Sequence, residues 1–74
     1  MSSKEQVKRL RKHLGLSQQE FADLMGTHKS SISLWEIGIR HPRHEMMRKF
    51  VALAKEKGLN MDYSDFEDKD DVVA

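Results

Sequence analysis

The chain has no cysteine, so it can carry neither a disulfide framework nor a thiolate zinc site, and an intracellular compartment suits it. Long apolar runs are missing as well: nothing approaches the roughly 18 consecutive apolar residues that cross a bilayer. The polar start Met1-Ser2-Ser3-Lys4-Glu5 lacks the apolar segment of a secretory signal. A soluble, cytoplasmic protein with no membrane association is expected. There is no strand-like alternation, no internal repeat and no low-complexity segment. Nor is there a nucleophile with a matched base or a phosphate-cradling glycine loop, so an enzyme is not expected and no cofactor is implied.

What the chain does have is charge, unevenly distributed. Residues 1–60 carry 12 Lys/Arg against 6 Asp/Glu, a balance of +6, whereas residues 61–74 carry one Lys against six acids, a balance of −5. A basic body attracts polyanions, and an acidic end is most often a solvated tail. A folded domain over 1–60 is therefore expected, followed by a partly disordered acidic tail over 61–74, open to a protein partner or to competition with a polyanion for the basic face. At 74 residues the domain lies near the lower limit for a self-sufficient core, which keeps dimerisation in view. Four histidines, His13, His28, His41 and His44, raise the question of metal. Only the last two are close in sequence and a proline separates them, so no metal site is expected.

The apolar spacing predicts an all-α chain of four to five short helices. The first is expected over about 4–14, with Ser3 and Gln6 at capping-box spacing, Val7, Leu10 and Leu14 on one face and Gly15 as terminator. The second starts sharply, because Ser17 and Glu20 have capping-box spacing and Leu16 is placed to staple onto Phe21; it ends at Gly26. The third is expected over 29–37, with Ile32 and Trp35 inward, Lys29, Ser30 and Ser33 on the other face, and Gly38 as its stop. After Ile39-Arg40-His41, Pro42 marks a restart. A fourth helix over about 43–57 presents Met46, Met47, Phe50, Val51, Leu53 and Ala54 as core or subunit interface, with Gly58 as its cap and Leu59 packing back. Met61, Tyr63 and Phe66 can dock as a short fifth element, with fraying from about Glu67 onward.

The decisive spacing is Ala22, Gly26, Ile32 and Trp35 within two short helices joined by three or four residues. Helices crossing through so tight a turn need a small residue at closest approach, which Ala22 supplies. Gly26 allows the positive φ of the turn. Ile32 and Trp35 anchor the second helix on the first and leave its N-terminal and outer side chains projecting, the geometry a groove-reading helix requires.

Residues 4–58 resemble the phage-repressor and Cro-like helix-turn-helix family, also called lambda-repressor-like or xenobiotic-response-element type. The resemblance is carried by Leu14-Gly15-Leu16-Ser17-Gln18-Gln19-Glu20-Phe21-Ala22, by Gly26, by Ile32-Ser33-Leu34-Trp35-Glu36-Ile37-Gly38 and by Pro42. It implies a four- or five-helix fold with the helix-turn-helix at about 18–37, and binding of double-stranded operator DNA as a homodimer, usually to repress transcription. By position, Gln18 resembles the family's backbone-contacting glutamine. Lys29, Ser30, Ser33 and Leu34 fall where the family reads base edges; lysine suits guanine, serine several bases, and leucine a thymine methyl. Arg11 and Glu36 match a buried pair bridging the first and third helices, which makes them structural. Arg40 and Arg43, bracketing Pro42, are the remaining candidates for phosphate contacts.

Two positions depart from the family's pattern. His28 stands where a serine or threonine commonly caps the recognition helix, so either Thr27 caps instead or His28 is released for a phosphate or base contact. Ile37 and Ile39 replace residues that are usually polar or basic, and either lie exposed near the DNA backbone or are covered by a second subunit. The leading expectation is a bacterial or phage repressor on a symmetric operator. An antitoxin or a restriction-modification controller uses the same module. An interaction adaptor that has lost DNA binding is the rival, suggested by Leu34, Ile37, Ile39 and the modest net charge.

Overall fold

A computed structural model of the chain describes residues 3–66. They form α1 (Ser3–His13), α2 (Gln18–Met25), α3 (Lys29–Ile37), α4 (His44–Glu56) and a closing 3-10 turn, Tyr63–Phe66. Among the described residues there is no strand, and the all-α reading of four to five short helices holds. The fraying expected from Glu67, and most of the acidic tail, fall on residues 67–74, outside the described residues. No helix among the described residues is long and apolar enough to cross a membrane.

The start of α2 follows from three residues. The Ser17 hydroxyl accepts the Glu20 amide at 3.1 Å, and the Glu20 carboxylate accepts the Ser17 amide at 2.8 Å, so two donors that helix geometry leaves orphaned are satisfied reciprocally. The Ser17 amide, followed by its hydroxyl, holds the Glu20 carboxyl below the usual carboxylate range. Ser3, by contrast, is a helical residue rather than the one preceding the helix. It is buried, and its hydroxyl meets His41 Nδ1 at 3.0 Å, tying the first turn of α1 to the loop between α3 and α4.

The turn between α2 and α3 closes on Gly26, whose φ of 71° is left-handed. The next amide, Thr27, reaches back to the Ala22 carbonyl at 2.9 Å, satisfying an end-of-helix acceptor. Ala22 itself is fully buried, which fits the close crossing of the two helices. Gly38 ends α3 in the same way at φ 83°, with the Ile39 amide on the Leu34 carbonyl at 3.1 Å.

Phe50 of α4 is the hub of the core. It stacks on Phe21 of α2 with centroids 5.7 Å apart and on Phe66 of the 3-10 turn at 5.6 Å, and it takes the edge of Trp35 of α3 at 5.8 Å. Val7, Leu10, Ala22, Met25, Ile32, Val51, Ala54 and Met61 complete the buried cluster. Met61 and Phe66 are each 1% exposed, so the packed body reaches past residue 60. Burial of such a side chain is worth about 1.5–3 kcal/mol, enough to hold the segment after α4 against α1 and α4. Tyr63 remains partly exposed.

Candidate nucleic-acid interface

Helix α3 has a sealed face and an open one. Ile32 is fully buried and Glu36, one turn on, is 7% exposed; these two set the inward direction. Side chains on a helix step round by about 100° per residue, so Lys29 and Ser33 flank that inward line on one side while Ser30 and Leu34 lie further round. Lys29 and Ser30 are exposed, and Ser33 and Leu34 half-buried. The side chains of Lys29, Ser30 and Ser33 hold no hydrogen bond or ion pair among the described residues. Their polar groups are therefore available to a partner.

The Glu36 carboxylate, its side chain 3% exposed, receives Arg11 Nε at 2.6 Å and a second guanidinium nitrogen at 2.9 Å. The same guanidinium donates to the Leu16 carbonyl at 3.1 Å. The hydrogen bond to Glu36 outweighs the opposing effect of burial and raises the Arg11 pKa above its ordinary value. Gln18, the first residue of α2, donates its side-chain nitrogen at 3.2 Å to Glu36 Oε1, the same oxygen that receives the second guanidinium nitrogen. A carboxylate only accepts, which fixes the orientation of the Gln18 amide and leaves one of its N–H bonds unengaged. One buried acid thus connects the start of α2, the end of α1 and the inner face of α3.

On the opposite flank, Leu34 and Trp35 of α3, Arg40 and Arg43 of the loop, and Met46 and Lys49 of α4 line a cleft of about 330 Å³. Arg40 and Arg43 are exposed, as their loop position suggested. Trp35 combines its core contact with Phe50 with a place in this cleft. Lys49 was not among the sequence candidates. The signal was present, because Arg43, Met46 and Lys49 fall three apart at the start of α4 and share a face. His28 is the N-cap residue of α3 by position, but neither its side chain nor that of Thr27 caps a first-turn amide, and His28 is exposed. Among the described residues no three His, Asp or Glu side chains gather as a metal-binding group. His13 instead meets the Lys57 carbonyl through Nε2 at 2.9 Å.

A buried, polar-anchored helix pair with one flank left open is the arrangement to set beside known families. The family model described as Helix-turn-helix matches residues 7–57, about two thirds of the chain. The chain belongs to the lambda-repressor-like helix-turn-helix family. No curated protein and no solved structure matches it. In this family the helix-turn-helix binds DNA in the service of regulation, and here α2, the turn at Gly26 and α3 form that unit. Arg11 and Glu36 hold it to α1, and Phe50 holds it to α4.

Proposed function

We propose that the protein is a cytoplasmic transcriptional repressor that binds a two-fold symmetric operator as a homodimer. One α3 enters the major groove of each half-site, the half-sites lying about 34–36 Å apart. The observation that carries this reading is the exposure of Lys29 and Ser30, without a hydrogen-bond or ion-pair partner among the described residues, on a helix whose other face is locked into the core. Lys29 donates to guanine O6 and N7, Ser30 and Ser33 bond to base edges, and Leu34 meets a thymine methyl. Gln18 contacts phosphate on one flank of α3, His28 at its start, and Arg40 and Arg43 on the other flank. Occupancy of a promoter then excludes polymerase. Ile37 and Ile39, 57% and 69% exposed, offer apolar area that a second subunit can cover.

The test compares a duplex selected from a random pool with unselected DNA. Lys29→Ala is expected to weaken the selected duplex by about 1–3 kcal/mol and to relax the preference at one base position. Arg43→Ala is expected to weaken all sequences alike and to reduce the salt slope by about one. Equal losses on both duplexes for Lys29→Ala would overturn the base-reading role. The same two isoleucines favour one second reading, an interaction adaptor in which this surface holds a different protein and DNA binding is lost. A protein that shows no salt-dependent retention on any duplex would replace the first reading by the second.

A further inference from the structure

The cleft between α3 and α4 has two chemistries, and only one of them suits a DNA backbone. Its half-buried residues are the apolar Trp35, Leu34 and Met46, with the hydroxyl-bearing Thr27 and Ser31 beside them. Its exposed rim carries Arg40, Arg43 and Lys49, none of which has an ion pair or side-chain hydrogen bond among the described residues, against the single carboxylate of Glu45. His41 also reaches the rim but is engaged by Ser3. A phosphate diester uses the cations and gains nothing from the apolar floor. At about 330 Å³ the cleft lies within the roughly 300–1,000 Å³ of small-molecule sites, which combine apolar lining with a few convergent polar groups.

We infer that this cleft is a binding site for a small amphipathic organic anion, an aromatic carboxylate in chemical class. Its ring lies against Trp35, Leu34 and Met46, and its carboxylate pairs with the rim cations, where a guanidinium can bind both oxygens. Because Arg40 and Arg43 are phosphate contacts in the proposed function, an occupant withdraws them from DNA. That competition rests on the DNA-binding reading; occupancy of the cleft does not.

Trp35 is the only tryptophan, so its emission and its indole N–H NMR signal report on the cleft directly. The probe is 3-phenylpropionate, with its uncharged twin 3-phenylpropionamide as control. We expect a saturable change in both Trp35 signals with the carboxylate and affinity about tenfold lower for the amide, the loss of a charge-assisted contact. Arg43→Ala/Lys49→Ala is expected to weaken the carboxylate by a similar factor and leave the amide unchanged. Should that double variant fail to fold, Arg40→Gln, outside any helix, carries the same comparison. No saturation by about 10 mM, beyond the range of a useful small-ligand affinity, overturns the site, as does equal affinity for the amide or undiminished binding by the variants. In a second arm the carboxylate, and not the amide, releases a bound duplex. Saturation of Trp35 without release overturns the competition alone, and failure to bind any duplex overturns the DNA reading while the Trp35 measurement still decides the site.

Discussion

Replacing Arg11 by Met would remove the sole charged partner, among the described residues, of a carboxylate whose side chain is 3% exposed. Glu36 would keep only the neutral Gln18 amide at 3.2 Å, in place of two guanidinium bonds at 2.6 and 2.9 Å. Breaking a buried pair from one side costs about 3–5 kcal/mol. Arg11 is itself 15% exposed, so some water can replace it, and the lower end, about 3 kcal/mol, is the better expectation. A chain of this length has about 4–11 kcal/mol in total, and each kcal/mol moves the melting temperature by about 4–8 °C. Arg11→Met is therefore expected to melt about 12–24 °C below the parent. Glu36→Leu in the same chain should recover most of the loss, because no charge is then left buried. Urea and thermal melts of the parent, both single variants and the double variant close the cycle, with non-additivity of at least about 1 kcal/mol expected. A single variant melting within about 3 °C of the parent, or a double variant whose loss equals the sum of the singles, would refute the view of this pair as a latch.

Three further outcomes follow from the same geometry. Gly38→Ala, at φ 83° with its would-be Cβ 3.1 Å from the movable Lys4 Cδ, should cost about 1–2 kcal/mol; Gly26→Ala, with open space, should match it in a chemical melt, and a much larger loss at Gly38 would mean that the Lys4 contact matters. A chain ending at residue 60 should be about 3–6 kcal/mol less stable than one ending at residue 66, through loss of Met61 and Phe66; equal melting of the two would refute the docking of that segment. The folded-state pKa of Glu20 lies below its ordinary value through the Ser17 amide, so its contribution is present above the ordinary carboxylate range and is lost as pH falls through the depressed value. The stability gap between the parent and Glu20→Gln should accordingly be flat near neutrality and close in acid.

Much of the fold was legible because its signals are local. The Ser17–Glu20 box, the glycine stops and the inward Ile32 each depend on residues within one or two turns of each other, and each falls where the spacing put it. Spacing alone makes Ser3 a cap, but its hydroxyl meets His41, 38 residues away, a contact that no spacing reveals. Position alone makes Gln18 a candidate for a phosphate contact; that its amide is held by Glu36 depends on a third helix.

Local signals fix where helices begin and end and which stripe of each turns inward, since backbone hydrogen bonds and apolar periodicity act along the chain. Packing between distant segments settles the rest: Phe50 joins three elements, Met61 and Phe66 belong to the body, and Arg40, Arg43 and Lys49 converge beside Trp35. Those facts depend on how helices cross, and crossing is set by the collective packing of side chains far apart in sequence.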